Sequence, residues 1–323
     1  NNQEVIEKYV QAKRNWFYGK AWSTIGNMLF NKNPNGAVQA YYKAIQYAPM
    51  IKEVHYNMGC LLQNEGKNIR GAEEAFREAI NLDSKYAKAH TNLGALLEYH
   101  KKDVDGAEAA YRAAIDADPN HAQANNNLGK LLDHKRNDVD GAEAAYRAAI
   151  KADPGYENAH INLAYLLKNK RKNLDAAKAA YRDAIELDPN GAPLYYNNLG
   201  NLLLQKGDLP SAKAHFENAI KRKKDYAEGF RHLAQLKTFT EDDKDIPEMQ
   251  RIYHLENLTD DERCQICFGL AKVNEDLGRY ETAFGFYAEG NGLRKKSLNY
   301  RIEDDREFFK QINANSSSFI GRM

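Results

Sequence analysis

Only three cysteines occur in 323 residues, which excludes a disulfide framework. No apolar run approaches the roughly 18 residues of a membrane-spanning helix, so no membrane partner is expected. Charge of one sign is missing too: 46 basic and 45 acidic residues leave a net charge of +1. Without a global field, binding to nucleic acid or an anionic membrane is not expected. The densest basic run, Lys221 to Lys224, suits a helix end, where cations complement the dipole. No Ser/His/Asp set, paired-carboxylate site or glycine-rich phosphate loop stands out, so neither catalytic residues nor a cofactor is expected. Asn257-Leu258-Thr259 and Asn315-Ser316-Ser317 match the glycosylation acceptor pattern, but about two such matches arise by chance in a chain this rich in Asn. No signal peptide is visible, although the chain opens at Asn1 rather than Met; a soluble, cytoplasmic protein is the default expectation.

What the chain has is repetition. Shifted by 35 residues, it aligns Ala37, Ala72, Ala107, Ala142, Ala177 and Ala212. Ala44, Ala79, Ala114, Ala149, Ala184 and Ala219 form a second column, and Tyr41, Phe76, Tyr111, Tyr146, Tyr181 and Phe216 fall between the two. A register kept over six copies marks a repeat array. Within one copy, Ala107, Tyr111, Ala114 and Ile115 share one face of a helix, here helix B. Leu93, Leu96 and Leu97 share a face of the helix before it, helix A. Helix A carries a glycine at 26, 59, 94, 129 and 200 and Ala164 in the fifth copy, so the position requires a small residue where the two helix backbones approach. Asp105 and Asp140, each with Glu three residues on, read as capping boxes at the start of helix B, and Asp-Pro pairs at 118–119, 153–154 and 188–189 end it.

The small residue on helix A, the two alanines with an aromatic between them and the proline near the end resemble the tetratricopeptide repeat, with one residue more than usual between helices A and B. The resemblance implies an all-α, right-handed superhelix of about six to seven hairpins. The expected divisions are an N-terminal helix at 1–17, which could shield the first repeat, and a repeat array at 18–238. Its units lie near 18–50, 52–86, 87–121, 122–156, 157–192 and 193–226, with a half repeat at 227–238. A linker at 239–260, containing the acidic stretch broken by Pro247, precedes a hairpin and closing helix at 261–314 and a tail at 315–323.

Beyond the array, the string FGLAKVNEDLGRYETAFGFYAEGNGLRKK, with TFTEDD and LTDDER before it and Tyr300 and DDREFF after it, resembles the segment that joins repeats to a carboxy-terminal sulfotransferase in some tetratricopeptide proteins. In that family a Gly/Pro/Arg/Ser loop then cradles phosphoadenosine phosphosulfate. This sequence has no such loop, so the resemblance implies at most an acceptor-presenting front part of a longer enzyme.

The strongest functional signal is a column of asparagines on helix A: Asn57, Asn92, Asn127, Asn162 and Asn198. Asn is a mediocre helix former, so its return at one register suggests a use. By similarity to the superhelix of the O-linked N-acetylglucosamine transferase, such amides would line the concave groove and grip the backbone of an extended peptide. Asn126, Lys130, Asp133, His134, Asn197 and Asn201 would make that groove polar. The same amides could equally tie neighbouring helices together. Three functions therefore remain open: a peptide-binding scaffold, the front part of a sulfotransferase, and a self-assembling solenoid. His55, His90 and His160 share a register but are spaced along the array, which points to packing rather than a metal site. Cys264 and Cys267 form a C-x-x-C on a predicted helix, without a second pair.

Overall fold

The computed structural model describes residues 2–64, 66, 68–188 and 193–298, and every regular element among them is helical. Contacts divide the chain into two compact units, Asn1–Asn173 and Leu174–Met323. The first unit holds α1 (Asn2–Leu29), α2 (Pro34–Tyr47), α3 (Lys52–Asn64), α4 (Ile69–Leu82), α5 (Ala87–Leu96), α6 (Val104–Ala117), α7 (Ala122–Leu131), α8 (Val139–Ala152) and α9 (Glu157–Asn169). The second holds α10 (Leu174–Leu187), α11 (Pro193–Gln205), α12 (Leu209–Arg222), α13 (Ala227–Ala234), α14 (Asp245–Tyr253), α15 (Asp260–Asp276) and α16 (Tyr280–Ser297). Within each unit, helices pair as antiparallel hairpins that pack one on the next, which is an α-solenoid. The expected closing helix at 301–313, the tail beyond it, and Tyr300 with DDREFF lie outside the described residues.

Each hairpin is closed by an aromatic ring set into a notch. Tyr41, Phe76, Tyr111, Tyr146 and Phe216 are essentially fully buried, and the ring of each lies against the helix A glycine of its own hairpin. A Cβ on Gly94 would come within 2.7 Å of the Tyr111 ring, and one on Gly59 within 2.6 Å of Phe76. The small residue is thus required by the ring more than by the backbone of helix B. Alanines on either side of the ring, such as Ala107 and Ala114, are fully buried, because anything larger would lift helix B off helix A.

The extra residue of the repeat has a definite place. Helix α5 ends in a π turn at Leu97–Lys101, and α7 in one at Leu132–Arg136. A left-handed residue follows at Lys102 (φ 59°), Asn137 (φ 53°) and Lys172 (φ 56°). Next, the backbone N–H groups of Asp103, Asp138 and Asn173 donate six residues back to Leu97, Leu132 and Leu167.

Three expectations need correction. The caps of helix B are Asp103 and Asp138, whose carboxylates accept from the N–H of Gly106 and Gly141 at 2.9 Å, two residues ahead of the expected capping boxes. Asp105 and Glu108 instead pair with Arg136 of the next repeat. The N-terminal segment is not a separate shield. Helix α1 runs unbroken through residue 17, since no proline interrupts it, and residues 3–14 are exposed rather than folded over the first repeat. Finally, the acidic stretch before Pro247 leads directly into α14. Pro247 sits in its first turn, where a missing N–H costs nothing. Ile246, Met249 and Ile252 then join Phe230, Leu270 and Val273 in a common core, so 239–260 is not a free linker.

Two outcomes test this assignment. Ala114→Leu should lower stability by about 1–3 kcal/mol in a urea melt, because the site beside Tyr111 is already filled. Lys102→Gly should raise it by about 0.5–1 kcal/mol, since glycine removes the left-handed penalty; Asn137→Gly should gain less, asparagine tolerating that conformation better.

Candidate peptide-binding surface

The five asparagines of helix A occupy equivalent places on α3, α5, α7, α9 and α11, and all are partly exposed. They differ in what they touch. Asn57 donates to Asn27 on the preceding helix A at 2.9 Å, and that amide oxygen also accepts from the Tyr41 hydroxyl at 2.7 Å. Asn92 donates to the Tyr56 hydroxyl and the Cys60 sulfur, both at 3.2 Å. Asn162 donates to Asn126 at 2.8 Å. These three amides tie one repeat to the one before it.

Asn127 has no such partner. One repeat back, the places filled elsewhere by Asn27, Tyr56, Cys60 or Asn126 hold Thr91 and Ala95. The Thr91 hydroxyl is turned onto the Ala87 carbonyl at 2.9 Å, and Ala95 offers nothing. In the second unit, Asn198 likewise makes no side-chain hydrogen bond among the described residues. What decides whether the amide is tied is therefore the residue 30, 32 or 36 positions earlier, not the asparagine itself.

The other residues expected in the groove separate into two groups. Asn126 and Asn197 are enclosed by packing, Asn197 completely, and neither faces solvent. Asp133 is buried as well, with His134 exposed beside it. Lys130 stays partly exposed, its ammonium 3.1 Å from the Tyr99 hydroxyl and 5.6 Å from the centre of that ring. Asn201 on α11 is also partly exposed. Around Asn127, then, the first unit carries an unpaired amide and a cation propped on an aromatic ring, with Tyr165 half-exposed on the next helix A.

The histidine column has a structural use. Nε2 of His55, His90 and His160 lies 2.7, 3.0 and 3.0 Å from the carbonyl six residues earlier, and Asn125 donates to Pro119 in the same way at 3.2 Å. Each holds the turn between one repeat and the next. Arg222 of the basic run stacks on Tyr196 with 3.9 Å between its guanidinium carbon and the ring centre. The Cys264 thiol donates to the Gly290 carbonyl at 3.3 Å, and burial pushes the Cys267 thiol up to about 12, far from a reactive thiolate.

Sequence reasoning missed an ionic column. Lys101 reaches Glu73 at 2.6 Å; Arg136 reaches Glu108 at 3.0 Å and also Asp105; Arg171 reaches Glu143 at 2.7 Å and also Asp140. In the second unit Lys206 pairs with Asp175. Arg112 and Arg136 hold the Glu108 carboxyl below its usual range, and Lys101 does the same for Glu73. The signal was present: a basic residue recurs every 35 positions at 101, 136, 171 and 206.

Two models of the tetratricopeptide repeat match the chain, one over residues 56–122, 95–157 and 131–192, the other over 194–226. The chain belongs to the tetratricopeptide repeat family. Among solved structures it is similar to pilF of Pseudomonas aeruginosa, with 18% identity and a TM-score of 0.55 over 71% of this chain and 97% of that one. It is also similar to a tetratricopeptide repeat protein from Parabacteroides merdae, with 15% identity and a TM-score of 0.54 over 84% of this chain and 98% of that one. At such identities the likeness shows the fold. No curated protein matches the chain. The two family matches end at residue 226, so the resemblance of residues 230–310 to a sulfotransferase linker has no support from them. No helix among the described residues is long and apolar enough to cross a membrane.

The tied and untied amides should separate on mutation. Asn162→Ala strands the buried Asn126 carbonyl and should cost about 1–3 kcal/mol in a denaturant melt, whereas Asn127→Ala should change stability by less than about 0.5 kcal/mol.

Proposed function

We infer that this tetratricopeptide protein is an interaction scaffold that holds an extended peptide by its backbone, with helix A amides as the grip. Tetratricopeptide proteins are in general protein-interaction scaffolds without an active site, and the fold supports that much directly. The observation that carries the finer reading is the unpaired, partly exposed amide of Asn127 within a column whose other members in the first unit are tied to their neighbours. An amide both donates and accepts, which matches the alternating N–H and C=O groups of an extended chain whatever its side chains. Lys130, held against Tyr99, adds a cation suited to a carboxylate on the peptide. In the second unit, Asn198 and Asn201, one helical turn apart on α11, offer a second amide pair of the same kind.

The alternative reading, the front part of a sulfotransferase, rests on sequence strings alone. The α15–α16 hairpin, turned at Gly278 (φ 71°), has a form that any segment closing a repeat array can adopt.

A random dodecapeptide display library panned against the full chain tests the scaffold. Enriched peptides should lose about tenfold or more in affinity for Asn127→Ala, with an unaltered melt, and a similar amount when the contacted peptide amide is N-methylated. Equal affinity for the variant would remove the amide grip, and a failure of any peptide to enrich would remove the scaffold reading itself.

A further inference from the structure

The N-terminal half of α1 carries an apolar face that none of the described residues covers. Val5, Ile6, Tyr9, Val10, Trp16 and Phe17 are between 48% and 66% exposed. At 100° per residue they fall within an arc of about 140°, with Glu4, Lys8, Gln11 and Asn15 on the opposite side. Two cations fall inside the arc, Lys13 and Lys20, resting 5.1 Å and 5.6 Å from the centres of the Tyr9 and Trp16 rings. The line of Gly19, Ser23 and Gly26, through which the same helix packs on α2, runs along one border of this face.

Further along α1, Ile25 is 39% and Met28 69% exposed. Their counterparts in the next two repeats, Met58 and Leu61, then Leu93 and Leu96, are at most 7% exposed. Inside the stack, that side of helix A is always covered by other helices. The face of α1 is therefore continuous with the surface through which repeats join, and it is shaped for a helix.

We propose that α1 pairs with the α1 of a second copy of this chain, antiparallel and centred between Val10 and Gln11. Charge selects that partner and that direction. Glu4 and Lys8 satisfy each other within the helix at 2.8 Å, but Glu7 and Arg14 make no ion pair among the described residues. Seven residues apart, they lie on the same edge of the apolar arc. An antiparallel crossing at residues 10 and 11 sets Glu7 of each copy beside Arg14 of the other, twice by symmetry, and lays Val5 and Ile6 on Trp16 and Phe17. A parallel crossing would set this edge of one copy against the opposite edge of the other and leave Glu7 and Arg14 apart. Two such faces bury on the order of 1,000 Å², the low end of specific association, so the pairing is a reversible, micromolar one. It is independent of the peptide grip, which involves other helices.

Sedimentation velocity on the full chain, from about 1 to 200 μM, reads the mass directly. The expected result is a monomer that becomes a dimer and goes no further. Val10→Glu with Phe17→Glu should leave a monomer at every concentration, with an unchanged melt because both side chains are exposed. Glu7→Arg or Arg14→Glu alone should weaken the dimer about tenfold, and the two together should restore it. A monomer throughout for the parent chain would overturn the proposal. So would growth past the dimer, which would mean end-to-end stacking, or a double charge swap no better than the single ones.

Discussion

The fold depends on a ring set into a missing side chain. Five helix B aromatics, Tyr41, Phe76, Tyr111, Tyr146 and Phe216, each lie over the glycine of their own helix A, and that contact fixes the distance and rotation of the two helices at once. With the rotation fixed, the residue two places before the glycine always emerges at the same angle, which is why five asparagines from helices far apart in the sequence become equivalent. Fully buried alanines on either side of the ring hold the same rotation from below. Burial of each ring brings roughly 2–3 kcal/mol of apolar stabilisation, so the hairpin geometry is not easily given up.

Much of this was legible because it is periodic. The 35-residue register identified the hairpins, the notch and the asparagine column, and the family resemblance they carried agrees with the matches over 56–192 and 194–226. Single-residue features were harder to read. The shift of the helix B caps to Asp103 and Asp138 turns on a left-handed residue just before them, which a Lys such as Lys102 does not advertise. The unbroken α1 follows from the absence of any breaker, a weaker signal than the presence of one. Pro247 reads as a stop, yet in a first turn it is a start.

The asparagine column was legible in the sequence, but what each amide touches was not. Counting asparagines gives five alike, whereas the structure separates them by what the previous repeat offers: Asn126 engages Asn162, and Thr91 leaves Asn127 unengaged. The same asparagine is tied in one repeat and untied in another, and the choice is written one repeat upstream. Asn197 shows the converse, a polar residue that the sequence assigns to a groove and that packing encloses.

The repeats of the first unit are joined at two kinds of tie with different physics. The amide ties of Asn57, Asn92 and Asn162 are neutral, while those of Lys101, Arg136 and Arg171 are ionic and partly exposed. Dissolved ions screen the second kind and leave the first almost untouched. At the two joints that carry both, Asn92 with Lys101 and Asn162 with Arg171, raising the salt thus slackens one edge while the amide edge stays fastened.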